Sequence, residues 1–192
     1  MRKGKTLLWA TGLMAAAWVG SAQAATIYAK YNATGGNNGT NWNNAFTDLS
    51  QALSSAVAGD QVWVAAGTYK PGGLAPTRNS TFTVKAGVGV YGGFLGIAAE
   101  TTLASRNPAA NVAILSGDIG TVGDATDNCY NIVTITTLAG NTTVVDGFTI
   151  TGGRADGVGI RGMGAGLLNW NASPTINNCI FSANFASDFG GG

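Results

Sequence analysis

Beyond residue 60 the chain is a succession of short apolar blocks separated by Gly, Asn and Asp. The blocks fall at 61–65, 82–84, 88–91, 112–115, 132–135, 144–145 and 148–150. Runs this short, bounded by residues that favour turns, predict brief strands and leave no room for long hairpins. The segment before them is organised differently. Residues 26–31 alternate as a first strand, and 32–44 form a polar, Gly-rich loop. Phe46, Leu49, Ala52, Leu53, Ala56 and Val57 then recur at spacings of three and four. That stripe predicts the chain's one amphipathic helix, near residues 47–58, with Thr47 as N-cap and Gly59 as the stop.

Two later segments repeat. Residues 144–151 align without a gap on 175–182, so that Val145 pairs with Ile176, Phe148 with Cys179 and Ile150 with Phe181. A shorter offset relates 164–167 to 190–192. Such periods match one turn of a solenoid that carries loop insertions. In a parallel β-helix, successive turns stack their inward side chains into columns, and each buried apolar side chain contributes roughly 1.5–3 kcal/mol. The corners need tight bends or positive φ, which Gly, Asn and Asp tolerate. Asp146-Gly147 and Asn177-Asn178 fall at the same corner of consecutive turns. The predicted fold is therefore all-β, a right-handed parallel β-helix with an N-terminal capping helix over its mouth. A β-sandwich would pair its strands as antiparallel hairpins and would not repeat in phase. Phe181 is expected to be a full core position, costing about 3–5 kcal/mol on truncation to alanine.

The first residues are not part of that pattern. Arg2, Lys3 and Lys5 precede an uncharged run over 7–19, and Ala22-Gln23-Ala24 supplies the small residues of a cleavage site. This is the layout of a secretory signal peptide over 1–24. The run is shorter than the roughly 20 residues that span a bilayer. The expected organisation is then a strand, loop and capping helix over 25–59 and β-helix coils over 60–192, truncated at the C-terminus in mid-coil. An open end there would favour self-association or fraying.

Charge narrows the partners. After Ala24, seven basic residues oppose nine acidic ones, a net charge of about −2, and no basic stripe exists. Nucleic acid is excluded as a partner on that ground. Charged residues are only 10% of the chain, against roughly 25% in ordinary domains. Amides, hydroxyls and backbone hydrate the surface instead, as suits a β-rich extracellular protein. Cys129 and Cys179 are too few for a disulfide framework. Cys179, in an alternating strand, reads as a small packed hydrophobe.

Residues 33–40, Trp42 to Phe46, Ala52-Leu53, Gly59-Asp60 and 64–69 resemble the N-terminal cap and first coil of secreted bacterial proteins of the pectin-lyase-like superfamily. Phe181-Ser-Ala-Asn184 with Gly190-Gly191, and more loosely 164–169, are similar to the repeats of polymorphic outer-membrane proteins. The resemblance implies export to the cell surface or beyond. It does not choose among that superfamily's lyases, hydrolases and adhesins. The expected function is a secreted or surface structural and adhesive module that contacts glycans or surface proteins. The alternative is the N-terminal part of a polysaccharide lyase or glycoside hydrolase with active coils beyond residue 192.

Candidate chemistry is sparse. The chain contains no histidine, which removes His-based triads. No catalytic and no cofactor-binding residue is assigned, and the metal question stays open. Calcium is the one cofactor to weigh, because Asp118, Asp124 and Asp127 lie on a Gly-rich loop whose oxygens suit it. Their spacing fits no EF-hand or nonapeptide repeat, and Asx-turns explain them as well. Arg154 and Arg161 read as ordinary loop charges. Trp42, Trp63, Trp170, Tyr69 and Tyr91 could stack on sugar rings. Of these, Trp63 in its apolar strand reads as core and Trp170 as the exposed candidate.

Overall fold

A computed structural model describes residues 24–136 and 142–191. All but the last residue of the expected signal peptide lies outside the described residues. The chain forms β1 (Thr26–Ala29), α1 (Leu49–Ser55), β2 (Gln61–Ala65), β3 (Gly67–Tyr69), β4 (Phe82–Val84), β5 (Gly89–Phe94), β6 (Ala113–Ser116) and β7 (Val133–Thr136). There follow β8 (Val144–Asp146), β9 (Phe148–Thr151), β10 (Arg154–Ala155), β11 (Leu167–Trp170), β12 (Thr175–Asn177), β13 (Ile180–Ser182) and β14 (Phe185–Ala186). Short strands follow from the short apolar blocks, and every strand pair among the described residues is parallel.

The strands sort into three main sheets that the chain visits in rotation. The first runs β1-β2-β5-β8-β12, the second β3-β6-β9-β13 and the third β4-β7-β11, with β10-β14 as a small fourth. Within each sheet the spatial order is the chain order, so each pass lays its strand beside the previous one. No helix among the described residues is long and apolar enough to cross a membrane.

Register turns the rotation into columns. In the first sheet Ile27, Val62, Val90, Val145 and Ile176 stand in one row. In the second the row is Tyr69, Leu115, Ile150 and Phe181. Interior members are sealed, with Val62, Val145 and Ile150 at 0–1% exposure. Ile176 and Phe181 are half-buried because they stand on the last strand of their sheets. Phe181 is therefore not the full core position that the repeat predicts. The 31-residue repeat is seen directly, since Thr175 faces Val144 and Ser182 faces Thr151. Its shared corner is real too: Gly147 and Asn178 both take positive φ, 86° and 47°, which lets the chain turn there without strain at glycine and with little at asparagine.

The helix is shorter than its apolar stripe. Asp48, not Thr47, is the N-cap, and its carboxylate accepts the Ser50 N–H at 2.8 Å. The helix ends at Ser55 because Asp60 captures the Val57 N–H at 2.9 Å and holds that segment extended. Val57 is consequently 54% exposed and leaves the stripe. Lys85 reaches back to accept none and donate twice, to the Ser54 and Ala56 carbonyls at 2.5 and 2.9 Å. It supplies the positive charge that a helix C-terminus favours. Leu49, Ala52 and Leu53 are buried, and α1 packs on β1, β2 and β4, among them the first strands of two sheets. Cys129 also departs from its polar sequence setting. It is fully buried in the main core, and burial pushes its thiol pKa up to about 12. Both cysteines are free.

Candidate functional site

The aspartate loop grows from the end of β6. Cys129 N–H bonds to the Gly117 carbonyl at 3.0 Å, closing residues 117–129 into a neck. Asp124 forms the expected turn, accepting from the Thr126 N–H and hydroxyl at 2.9 and 2.7 Å. Those two bonds hold its carboxyl below the ordinary range. Asp118 and Asp127 behave differently. Each uses one oxygen on the loop backbone, at Gly123 N (3.3 Å) and Thr121 N (2.6 Å), and turns the other inward. The three aspartates thus do not act together: Asp124 is exposed and separate, while Asp118 and Asp127 brace the loop from its two ends.

Beside the neck lies an arginine cluster that the sequence only half suggests. Asp156 bridges Arg78 (2.6 Å) and Arg154 (2.8 Å). Arg78 also donates to the main-chain carbonyls of Asn128 and Arg154 and lies over the Tyr130 ring, 4.2 Å from its centroid. Arg161 lies 5.8 Å from the centroid of the same Tyr130 ring. Burial works to raise the Asp156 pKa, but the hydrogen bonds and charges of the two arginines outweigh it and hold the carboxyl low. Arg154 is therefore tied up as a structural ion pair. Arg78, seventy-six residues upstream of Arg154, carries no sequence signal as a member, because only the packing of successive strands brings it there.

The aromatic candidates divide by location. Trp63 is buried, yet on the outer side of the first sheet, where Trp42, Phe94 and Ala65 form a second small core with Tyr28 and Tyr91 at its edge. Trp63 stacks on Phe94 with centroids 4.7 Å apart, and Trp42 donates its indole N–H to the Glu100 carbonyl. Both are removed from sugar contact. Tyr69 is likewise core, its hydroxyl donating to the Ala65 carbonyl at 2.9 Å. Trp170 remains open at 52% exposure on β11. Tyr31, which the sequence pattern did not single out, is 53% exposed. Its ring lies across Gly67, where a Cβ would come within 2.4 Å of it, and edge-on to Tyr69. It borders a cleft of about 710 Å³ with Thr47, Gln51 and Lys70.

Tyr91 continues outward toward a charged cluster on the first sheet. Arg106 makes a two-pronged bond to Asp146 at 2.9 and 2.7 Å, and Asn178 donates to the same carboxylate at 2.9 Å. The guanidinium lies 5.4 Å from the Tyr91 ring centroid. Burial pushes the Asp146 pKa upward, and the bonds from Arg106 and Asn178 more than reverse that, leaving the carboxyl below its usual range. Burial and the neighbouring Asp146 charge raise the Tyr91 hydroxyl. Arg106 and Asn178 border a groove of about 630 Å³ with Pro108, Cys179 and Ile180.

Comparison with known proteins adds one finding. A family model described as a protein of unknown function, DUF1565, matches residues 32–189, well over half of the chain. The chain belongs to that family. No curated protein and no solved structure matches it. In this DUF1565 member the matched region takes in the helix, every strand of the three sheets except β1, the aspartate loop and the Arg106–Asp146 clamp together. Four of its carboxylates share one habit. Glu100 gathers the N–H groups of Leu95, Gly96 and Ile97, Asp60 those of Ala25 and Val57, and Asp146 and Asp156 hold arginines from distant loops.

Proposed function

We propose that the chain forms a right-handed parallel β-helix and serves as a structural and adhesive module, exported to the cell surface or beyond, that contacts glycans. The observation that carries this reading is the employment of four carboxylates in fastening loops to the sheets. General acid–base or nucleophilic work needs a carboxyl group free to exchange a proton or attack. Here Glu100, Asp60, Asp146 and Asp156 are each committed to backbone N–H groups or arginines that fasten loops to the sheets. The rotation of strands through three parallel sheets and the in-register columns support the β-helix. The half-exposed rings of Tyr31 and Trp170, flanked by amide and hydroxyl side chains, support sugar contact.

The test is a glycan array probed with the purified chain, run beside a reducing-end and unsaturated-uronate assay on the polysaccharides that bind. Binding that falls at least tenfold in Tyr31→Ala or Trp170→Ala, with no product released, is the expected result. Product release by the wild-type chain would overturn the reading in favour of a lyase or hydrolase.

A further inference from the structure

We infer that the neck of the 117–128 loop is a binding site for a calcium-class cation, with Asp118, Asp127 and Asn128 as its side-chain ligands. Three side-chain oxygens there, Asp118 Oδ1, Asp127 Oδ1 and Asn128 Oδ1, are sealed from solvent and have no hydrogen-bond donor. Among the described residues only one other side-chain atom, the Ser50 hydroxyl, shares that condition. Three such oxygens within eleven positions of one loop require a common explanation.

The backbone places them together. The Cys129 N–H to Gly117 carbonyl bond closes the neck, so Asp118 and Asn128 are the residues that flank it on the two strands of the loop. Asn128 is 7% exposed and spends its amide N–H on the Gly152 carbonyl at 2.7 Å. A Cβ built on Gly152 would stand 3.5 Å from Asp118 N and 3.8 Å from Asn128 Nδ2, which sets the Asn128 amide against the Asp118 main chain. Asp127 folds back over Gly120, where an added Cβ would meet its carboxylate at 2.3 Å. Both carboxylates therefore bind the backbone of a loop only ten residues around and keep one sealed oxygen each within it.

A carboxylate oxygen denied both water and a donor is costly. Among the described residues no arginine or lysine pairs with either carboxylate: Arg78 donates to the Asn128 main-chain carbonyl and is paired with Asp156. A cation would. The donors are hard oxygens, two carboxylates and an amide, with loop carbonyls and water to complete the shell, which is calcium chemistry. No three His, Cys, Asp or Glu side chains among the described residues come together to hold a metal, so a zinc-type set is absent there and the third ligand is the amide. Asp124, turned out to Thr126, is not a member.

The experiment is calorimetric titration of the EDTA-stripped full chain with CaCl2, and separately MgCl2, paired with thermal melts. Calcium is expected to bind with Kd of about 0.1–1 mM, the range of extracellular modules. At a hundredfold excess over Kd it should raise Tm by about 5–10 °C. Asp127→Asn keeps the acceptor for Thr121 N–H and removes one charge. It should weaken calcium at least tenfold while raising the calcium-free Tm; Asp118→Asn is the second variant should the first fail to fold. Asp124→Asn should leave the calcium response unchanged. Absence of heat and of any calcium-dependent Tm shift would overturn the site, showing a loop closed by water. Equal responses to magnesium and calcium, or loss of the response in Asp124→Asn, would overturn it as mere screening of loop charge.

Discussion

Ile150→Ala measures the interior of the second sheet's column most directly. Ile150 is fully buried on β9, with Leu115 on one side and Phe181 on the other in the same register. The substitution removes three carbons, worth about 0.8 kcal/mol each in transfer, or about 2.4 kcal/mol. The two flanking strands are hydrogen-bonded across β9 and cannot close the gap, so a cavity adds to that. The expected cost is about 3–4 kcal/mol, inside the 2–5 kcal/mol range for such truncations. Phe181→Ala deletes a larger side chain but from a half-buried rung, so it should cost only about 2 kcal/mol, below the 3–5 kcal/mol of a sealed phenylalanine. Urea unfolding followed by far-UV circular dichroism supplies both values, and an unchanged m-value certifies that only stability moved. Hydrogen exchange should show 148–151 protected more strongly than 180–182. An Ile150→Ala cost under about 0.5 kcal/mol, the surface range, would refute the column. A Phe181→Ala cost exceeding that of Ile150→Ala would refute the open last rung.

Three further outcomes follow from named contacts. Asp146→Ala strands the Arg106 guanidinium in a site where both side chains are mostly buried and should cost about 3 kcal/mol by chemical denaturation. Because the folded Asp146 pKa is depressed, its contribution is present above the unfolded value near 3.9 and lost as pH falls through the folded one. An acid titration of stability should therefore be flatter below about pH 4 in Asp146→Ala than in wild type. Lys85→Met leaves the Ser54 and Ala56 carbonyls without their donor and should cost about 0.5–1 kcal/mol, an effect that high salt shrinks only partly. Native-state thiol labelling should modify Cys179 before Cys129, since burial raises both thiols but seals only Cys129 completely; equal rates would contradict the buried placement.

Much of the architecture was legible along the chain because the stacking of short parallel strands is written locally. The alternation of 144–151 and its copy at 175–182 specifies which residues face inward, and the structure pairs them in that register. The short Gly- and Asn-bounded blocks likewise marked most strands, and the apolar stripe marked the helix. What escaped the pattern was decided by contacts between distant passes. Asp60 ended the helix early by taking the Val57 N–H, and a side chain that reaches back from a following turn has no periodic signature. Trp63 was read correctly as buried, but its burial comes from the Trp42 and Phe94 loops laid over the outer face of the sheet. Arg78 and Asp156, seventy-eight positions apart, meet only because successive strands pack side by side in the sheets. The candidate cation site shows the same division. Asp118 and Asp127 stand out in the sequence as acids on a Gly-rich loop, whereas Asn128 looks like one more asparagine among many. Only the closed neck at Gly117 and Cys129 buries its oxygen, and burial of an oxygen without a donor is a property of the folded chain alone.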